Sequence, residues 1–524
     1  MARYNAKPKP IKAQPVINHQ GGVGYKYDPK SELITILSTG LDNKFYEKLG
    51  EREQRLSNVI SEVAKIDVLF AAKALVYART VMGQRTVTHF GAVELAKYLS
   101  GNELGTRFFS KRERKLNKGG VIFRLDDMLE ITACYVAKNS STNKRKDGTP
   151  TIKLPNSLKK GFKLALEAAD EYELAKYQAK NRDLSLVDII NLVHPKPSEK
   201  MVPIFAKLMK GELKQFNTVE DKNTKAGQEI ADKVKSGKIT KEQAVIELSE
   251  AKEDNYAELI ITRKIGYLAL LRNLRNILKN SSDAELIDRA CDLITDKKMI
   301  KQSLVFPHQI DLALEIMLAE FGASKSKPFI KALNDAYELS VPNLTELFPN
   351  GKTAVVFDSS GSMDAKIRLI NKSQGSESAI GKAALIAATL AKGIGADVYH
   401  FADRCDEIKF NPLDTINTLK KQFLSRQGIV GYGTMFNSIL VKLNNKYDRI
   451  FVISDMQGAD VLEHSNYANT HIYSVDIVGY GTTMFKPGNK VYRIFGYSSD
   501  IYELIKKVEI DPKAIIKEIE AIEI

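Results

Sequence analysis

The chain has few cysteines and no long hydrophobic run, and both absences restrict its class. It has 524 residues and only three cysteines, Cys134, Cys291 and Cys405, which are far apart. This pattern predicts buried, reduced thiols in a cytoplasmic protein, not a disulfide framework or a zinc site. No apolar stretch approaches the roughly 20 residues that a membrane-spanning helix needs, so we expect no membrane partner. Residues 1–24 are basic without an apolar segment, which predicts a flexible arm and no secretory signal.

Positive charge is in excess and is unevenly distributed. The formal net charge is +14, with 78 Lys and Arg against 64 Asp and Glu. Residues 1–350 hold 57 Lys and Arg against 44 Asp and Glu, whereas residues 351–524 hold 21 against 20. An excess confined to the first two-thirds of the chain suits a polyanionic partner such as nucleic acid. The alternative is that the charge only keeps the protein soluble.

The first two-thirds of the chain has a helical pattern. Apolar residues recur at three- and four-residue spacing in several segments, including 56–81, 88–99, 158–169 and 268–278. Glycines and prolines separate these segments, and strand-like stretches are missing. The pattern predicts an all-α array of helix pairs that ends near residue 345.

The last third of the chain has a different pattern. Short, β-branched or aromatic runs that are apolar at nearly every position alternate with helical segments; the runs are 353–358, 396–402, 449–455 and 471–481. Continuous apolar runs are typical of strands buried on both faces. The alternation predicts an α/β domain with a doubly wound parallel sheet.

Oxygen-bearing side chains follow two of these predicted strands. Asp358 ends the first strand in the segment DSSGS, and Asp455 ends a later one. Ligands of open parallel sheets bind at the carboxyl ends of the strands. Hard oxygen donors without His or Cys predict a Mg²⁺ or Mn²⁺ site formed by Asp358, Ser360, Ser362, Thr434 and Asp455. The alternative is that the first segment only caps the next helix.

This set of residues resembles the metal-ion-dependent adhesion site of von Willebrand factor A domains. The resemblance implies that the serines and the threonine bind the ion and that the aspartates bind it directly or through water. It also implies one open coordination position for an acidic group on a partner. Met456 departs from the pattern, because many of these domains have glycine there.

A basic helical part ahead of such a domain resembles the Ro ribonucleoprotein family, whose helical part is the TROVE domain. The strongest match is the segment DEYELAKYQAKNRDLSLVDIINLVHPKPS, and similar segments are 79–96, 269–278 and 303–315. The resemblance implies a two-part fold. A ring of HEAT-like helical repeats would span residues 25–345, and a von Willebrand factor A-like domain would span residues 346–524.

The resemblance also implies RNA binding without catalysis. A small structured, Y-like non-coding RNA would bind the basic outer surface, and single-stranded ends of misfolded RNA would thread the central hole. Bacterial relatives imply an exoribonuclease partner. Basic residues and a histidine contact RNA in this family, which assigns that role to Lys176, Lys180 and His194.

Two further basic patches follow from the residues themselves. In the helical segment 268–278, Arg272 and Arg275 lie on one face beside an apolar face, which suits a phosphate backbone. The segment KRERKLNK places several cations together, namely Lys111, Arg112, Arg114 and Lys115, and the segment 143–148 adds a second basic loop. The alternative for each patch is an ordinary solvated surface.

Two other functions compete with RNA binding. The A-like domain could act as a metal-dependent protein-interaction adaptor, with the basic helices as its scaffold. Metal-assisted phosphodiester hydrolysis is the third hypothesis. The sequence offers neither a second metal cluster nor a nucleophile–base pair for it, so we expect no enzyme.

Overall fold

The structure is a computed structural model of the chain. It describes residues 14–41, 44–113, 115–139, 153–178, 184–213, 219–281, 283–303, 305, 307–340, 351–371, 375–443, 445–463, 465, 467, 469–488, 490–496, 507–508, 511 and 513–524.

Helices dominate the described residues up to 340. In chain order they are α1 (Pro29–Thr39), α2 (Leu49–Thr80), α3 (Thr86–Ala96), α4 (Glu103–Phe108), α5 (Asp126–Asn139), α6 (Asn156–Glu167), α7 (Glu171–Lys176), α8 (Leu186–Val193), α9 (Val202–Met209), α10 (Val219–Lys235), α11 (Lys241–Ile261), α12 (Tyr267–Asn280), α13 (Ala284–Ile294), α14 (Lys297–Ser303), α15 (Pro307–Lys325) and α16 (Lys327–Ser340). No described helix has the length and apolar character needed to cross a membrane.

Local side-chain chemistry explains where many of these helices begin. Asp28 accepts a hydrogen bond from the Ser31 amide at the start of α1, with Pro29 in the first turn. A capping box begins helices α7, α8 and α11. In each box, the side chain of the first residue accepts a hydrogen bond from the backbone amide three residues later, and the side chain of that later residue accepts one from the amide of the first. Neighbouring helices pack side by side, as α2 does with the next helix, α3, and α12 with α15, so each buries its apolar face.

Most strands follow the helical part of the chain. The exceptions are a pair that precedes α1 and a pair between α4 and α5. The strands are β1 (Pro15–Ile17), β2 (Val23–Lys26), β3 (Arg112–Glu113), β4 (Lys118–Gly119), β5 (Thr353–Asp358), β6 (Lys366–Asn371), β7 (Gly375–Ser378), β8 (Asp397–Phe401), β9 (Cys405–Ile408), β10 (Arg449–Ser454), β11 (His471–Asp476), β12 (Thr482–Thr483) and β13 (Val491–Phe495). In the described part of the chain, four more helices accompany them: α17 (Ala379–Ile394), α18 (Ile416–Leu424), α19 (Asn437–Leu443) and α20 (Ala514–Glu520).

The main sheet has six strands in the order β13-β11-β10-β5-β8-β9. The first five run parallel, and the edge strand β9 is antiparallel. Its faces are covered on both sides: Val355 and Phe357 pack in one core cluster with α17, and Val356 packs in the other with α19. Every residue of β5 is buried. The predicted fold class, an all-α helical part followed by a doubly wound A-like domain, is confirmed.

The N-terminal segment differs from the sequence-based expectation. Strands β1 and β2 form an antiparallel hairpin, and β2 pairs with β12 of the A-like domain. The prediction of a flexible arm therefore does not hold for residues 14–24. The hairpin's backbone hydrogen bonds are satisfied by a strand more than 450 residues away in sequence, which no local pattern reveals.

The helical part touches the A-like domain at both of its ends. At its beginning, α1 packs on β13, and the C-terminal helix α20 returns to pack on α2. At its end, α16 packs on α18, and the buried Lys420 ammonium donates to Glu315 at 2.8 Å and to Asp311. Attachment at both ends closes the helical array on the A-like domain.

A buried guanidinium forms the first of these joints. Arg52, in the first turn of α2, has no exposed surface. Its Nη1 donates to Glu47 Oε2 at 2.8 Å and to the Gly479 carbonyl at 3.3 Å, and its Nε donates to the Gly40 carbonyl at 3.1 Å. One side chain therefore ties the end of α1 and the start of α2 to the turn that follows β11. Hydrogen bonds of a buried charge are stronger than neutral ones.

We expect Arg52→Met to lower the free energy of unfolding by about 3–5 kcal/mol, because it removes the donor of the buried Gly40 and Val478 carbonyls and one of the two guanidinium partners of Glu47. Urea denaturation followed by circular dichroism measures the loss. The control is Arg289→Met, because Arg289 is half exposed and pairs only along its own helix with Glu285. This control should shift stability by less than about 0.5 kcal/mol. Equal urea midpoints for the Arg52 and Arg289 variants would contradict the role of Arg52 in joining the helical part to the A-like domain.

Candidate functional site

The two predicted metal-binding aspartates lie side by side in the sheet. Strands β5 and β10 are parallel neighbours, with Phe357 opposite Ile453, so Asp358 and Asp455 emerge at the same edge. Both carboxylates are fully buried. The structure therefore brings together the two halves of a motif that are almost a hundred residues apart in sequence.

The serines form one continuous loop with Asp358. The Ser360 amide donates to Asp358 Oδ1 at 2.9 Å, and the hydroxyls of Ser360 and Ser362 lie 3.2 Å apart. Ser454, which the sequence analysis did not single out, donates its hydroxyl to Asp358 Oδ2 at 2.6 Å. These hydrogen bonds fix the direction in which the Asp358 carboxylate points.

Thr434 reaches the site through a glycine-rich loop. The amide of Gly433 donates to Asp403 Oδ1 at 3.1 Å, and that of Tyr432 donates to Asp403 Oδ2 at 3.3 Å. A Cβ atom at Gly431 would lie 1.8 Å from the Asp403 carboxylate, so only glycine fits there. Asp403 therefore positions Thr434 indirectly, a role that no sequence pattern around Asp403 predicts.

Two polar atoms of this site are buried without a hydrogen-bond partner. They are Oγ1 of Thr434 and Oδ2 of Asp455. Such atoms cost about 1–3 kcal/mol each when left unsatisfied, so proteins rarely keep them without a ligand. Both belong to the predicted donor set, and both are hard oxygen donors. This observation fits a bound divalent cation.

Electrostatics at the site also fit a cation. Burial raises the pKa of Asp358 to about 6. Burial, together with the charge of Asp358, raises the pKa of Asp455 well above its ordinary value. Neither carboxylate forms an ion pair with a Lys or Arg that the structure describes. A divalent cation would supply the missing positive charge and restore both carboxylates to their ionised form.

Met456 keeps the loop geometry despite replacing the usual glycine. Its φ angle is +59°, in the left-handed region that glycine adopts most easily. Its amide donates to the Ser454 hydroxyl at 2.9 Å, and its side chain is buried. The protein therefore accepts a strained methionine in this position.

A serine–histidine contact lies next to the site. The Ser359 hydroxyl is 3.3 Å from His400 Nδ1 and also donates to the Phe401 carbonyl at 3.1 Å. Both side chains are buried, and burial lowers the pKa of His400 to about 4. The contact belongs to the core and has no access to a substrate. Among the described residues, no cluster of three or more His, Cys, Asp or Glu side chains is arranged to hold a metal.

A second candidate site surrounds the predicted RNA contact Lys176. This lysine ends α7 and is exposed. Its Nζ lies 3.2 Å from the Tyr172 hydroxyl, 5.3 Å from the Tyr172 ring centre and 5.7 Å from the Tyr177 ring centre. Arg124 lies 5.0 Å from the Tyr177 ring on the other side. We call Arg124, Tyr172, Lys176 and Tyr177 the Lys176 cluster.

The Lys176 cluster combines cations with an aromatic surface. Tyr172 is 43% exposed, and Lys176 Nζ lies over its ring. Cations that bind phosphates beside rings that stack bases are the usual elements of single-stranded RNA sites. The sequence analysis found the lysine but missed both tyrosines and Arg124. The two tyrosines flank the lysine within the quoted motif, which was the available signal.

The Ro resemblance predicts two other RNA-contacting residues, His194 and Lys180, and the structure describes only the first. His194 is exposed and ends α8 in a left-handed conformation with φ of +48°, before the proline turn. Lys180 lies outside the described residues. The adjacent Lys196 donates its amide to Glu167 at 2.6 Å, which holds the turn against α6.

The basic stripe of α12 lies on the helix surface. Arg272 is exposed, whereas Arg275 is partly buried and its guanidinium lies 3.5 Å from the Glu320 carboxylate. The leucines of the same helix are buried, as the amphipathic pattern predicts. Arg272 is therefore the more accessible of the two arginines.

The prediction of a phosphate-binding loop at 111–118 is wrong for Arg112. That residue is 1% exposed, and its guanidinium donates to the carbonyls of Gly119 at 2.5 Å and Glu523 at 2.7 Å. It anchors the C-terminus and cannot reach RNA. Lys111 pairs with Glu173 and is mostly covered. Lys115 is exposed, and Arg114 lies outside the described residues, as does the basic loop 143–148.

The fold and the site together define a class of protein: a closed helical array joined to a von Willebrand factor A-like domain, with buried oxygen-bearing side chains at the carboxyl edge of its sheet. Among solved structures, the chain is similar to the crystal structure of the Deinococcus radiodurans Ro (RSR) protein. The TM-score is 0.50 at 15% sequence identity, over 91% of this chain and 99% of that chain. No protein-family model and no curated protein sequence matches. The sequence-based resemblance to Ro is thereby confirmed at the level of the fold.

We expect Asp358→Ala to abolish Mn²⁺ binding, because it removes one of two carboxylates and the acceptor that orients Ser360 and Ser454. Isothermal titration calorimetry measures the uptake. The matched control is Asp364→Ala, since Asp364 lies in the same loop but is exposed and accepts a hydrogen bond from Gln427 at 2.6 Å. Normal Mn²⁺ uptake by the Asp358 variant would refute the assignment of the metal site.

Proposed function

We propose that this protein binds RNA without acting on it chemically. It forms a ribonucleoprotein with a small structured, Y-like non-coding RNA and takes up single-stranded ends of misfolded RNA. The observation that carries the proposal is the Lys176 cluster, in which the exposed Lys176 and Tyr172 lie beside the partly buried Tyr177 and Arg124. The fold likeness to a Ro protein and the charge excess of the first 350 residues support it.

The physical basis of binding is phosphate neutralisation combined with stacking. Lys176 supplies a mobile point charge, and the exposed Tyr172 ring supplies a stacking surface that accepts any base. His194 and Arg272 extend the positive surface of the helical part. Affinity should therefore fall steeply with salt, because each neutralised phosphate releases condensed counterions.

The ion pocket is the second part of the proposal. Mg²⁺ or Mn²⁺ binds to Asp358, Ser360, Ser362, Thr434 and Asp455. When bound, the ion neutralises two buried carboxylates and gives the unsatisfied Thr434 hydroxyl a partner. The bound ion stabilises the A-like domain at the carboxyl ends of β5 and β10. An exoribonuclease tethered through the small RNA, in the cytoplasm, completes the proposed setting.

We expect the double variant Lys176→Ala, Lys180→Ala to bind a single-stranded RNA oligonucleotide more weakly by about tenfold or more. The salt dependence of log K should also become shallower by about 1.4, since each phosphate contact on a single strand contributes about 0.7. Filter binding over a series of salt concentrations measures both quantities.

The matched control for this prediction is Lys297→Ala, Lys301→Ala. These two lysines are exposed, have the same spacing on α14, and carry the same charge on the same helical part. The control should bind RNA nearly as well as the unaltered protein. Equal losses in both double variants would mean that only total charge matters, and the Lys176 cluster would then not be the RNA site.

A further inference from the structure

A cavity of about 420 Å³ opens at the edge of the main sheet where three of its strands begin. Its walls are residues 445–449 at the start of β10, residues 469–471 at the start of β11, and Lys490 just before β13. These strands are parallel neighbours, so their amino ends meet at one edge. The predicted ion ligands Asp358 and Asp455 lie at the opposite, carboxyl edge. We call this cavity the amino-edge cavity.

Three cations line the amino-edge cavity against a single carboxylate. The residues that carry these charges are Lys446, Arg449, Lys490 and Asp448. With His471 neutral, the lining therefore has a net charge of +2. Residues 351–524 as a whole hold 21 Lys and Arg against 20 Asp and Glu, so the excess of positive charge is local to the cavity.

Hydrogen bonds between neighbouring turns hold this lining in place. The Asp448 carboxylate accepts a hydrogen bond from the Lys352 amide at 2.7 Å, and the Asp448 carbonyl accepts one from the His471 amide at 3.1 Å. The His471 ring stacks on the Tyr492 ring with centroids 5.6 Å apart, and its Nδ1 lies 2.8 Å from the Tyr492 hydroxyl. Because the turns hold one another, the cavity is formed before a ligand binds, which lowers the entropic cost of binding.

The two lysines have N–H donors to offer a ligand. Lys490 is partly buried and donates from Nζ to the Asn469 carbonyl at 2.8 Å, which uses one of the three donors of its ammonium group. Lys446 is exposed. Neither lysine forms an ion pair with a carboxylate that the structure describes. The side-chain amides of Asn445 and Asn469 also line the cavity and add neutral donors.

A phosphate monoester matches this lining in charge and in hydrogen bonding. It carries a charge of about −1.5 to −2 at pH 7 and offers three acceptor oxygens. Guanidinium and ammonium groups are the cations that proteins use to bind phosphate. The volume falls within the range of small-molecule sites, about 300–1,000 Å³, so the cavity holds a group larger than phosphate alone. A nucleotide supplies such a group, because its sugar and base extend from the phosphate.

We propose that the amino-edge cavity binds the phosphate monoester of a nucleotide, either a free mononucleotide or the phosphorylated end of an RNA chain. It uses no residue of the ion pocket or of the Lys176 cluster. The choice of a nucleotide among phosphate monoesters rests on the proposed RNA-binding function, whereas the anion site itself does not. The alternative is that the cations only offset the backbone carbonyls at the end of α19 and bind no ligand.

Adenosine 5′-monophosphate (AMP) is the probe for the free mononucleotide. Isothermal titration calorimetry at fixed salt should detect AMP binding to the full-length chain, and adenosine, which lacks the phosphate, should bind at least about tenfold more weakly. Hydrogen exchange measured by mass spectrometry should slow across residues 445–449 and 469–471 when AMP is present. AMP binding that leaves exchange unchanged in both segments would place the ligand elsewhere and overturn the proposal.

The RNA end is tested with one oligonucleotide in three forms. The first form has hydroxyls at both ends, the second has a 5′-phosphate, and the third has a 3′-phosphate. Contacts with the rest of the strand are common to all three forms, so a difference in affinity reports the terminal phosphate alone. If the cavity takes RNA ends, filter binding at fixed salt should give one phosphorylated form an affinity at least about tenfold higher than that of the unphosphorylated form.

The double variant Lys446→Gln, Lys490→Gln tests whether these cations are responsible. It removes two of the three cations, so AMP affinity or the advantage of the phosphorylated RNA should fall by about tenfold or more. The control is Lys421→Gln, Lys513→Gln, which removes the same charge from exposed positions of the same domain outside the cavity. If the double variant failed to fold, the exchange measurement on the unaltered protein would still decide the question.

The outcomes separate this site from the proposed function. Phosphate-dependent binding that is weakened in the Lys446, Lys490 variant but not in the control supports the site, with AMP indicating a free mononucleotide and the oligonucleotides indicating an RNA end. If the phosphate adds no affinity in either assay, or if the control loses as much as the double variant, the cavity is not a phosphate site. That result would leave RNA binding at the Lys176 cluster intact, since the Lys176 variants test it separately.

Discussion

The arrangement of the whole molecule depends on one buried cation, the guanidinium of Arg52. It lies where the end of α1, the start of α2 and the turn after β11 meet, and its hydrogen bonds join all three. Glu47, which pairs with Arg52, directly follows Tyr46 in sequence, and the Tyr46 ring meets the ring of Tyr480, which follows the same turn, edge-on at 5.4 Å. If this charge were unpaired, burying it would cost more than the fold could tolerate, which explains why its partners come from both parts of the chain.

At the predicted ion pocket the buried charge is negative and unpaired, in contrast to the paired guanidinium of Arg52. There, two carboxylates are buried without a described cation to pair with, and two oxygen atoms have no hydrogen-bond partner. A structure keeps such a cost only where something else offsets it. A divalent cation, as proposed above, is the simplest compensation that the donor chemistry allows. On the helical side, charge is handled differently, since Lys176 stays exposed between two tyrosine rings.

Particular residues show which features of the fold and of the candidate site could be predicted from the sequence. The alternation of strands and helices after residue 345 predicts the sheet, because strands buried on both faces read as continuous apolar runs. Asp358 and Asp455 were predictable as a pair, because parallel strands deliver their carboxyl ends to one edge. The burial of Arg112 was not predictable, because an arginine in a basic segment of the sequence indicates positive charge but not whether the side chain is buried. Asp403 was missed for a similar reason, because it acts on a loop about thirty residues away in sequence.

The sequence by itself determined the two-part architecture, the regional charge and the oxygen-rich chemistry of the residues at the carboxyl edge of the sheet, because periodicity and residue type are local properties of a chain. Only the tertiary structure decided which cations stay exposed and where the hairpin of residues 15–26 pairs. Those features depend on contacts between residues hundreds of positions apart, as between Tyr25 and Thr483. Such contacts form because buried polar groups must find partners wherever the fold brings them, and sequence proximity does not restrict that choice.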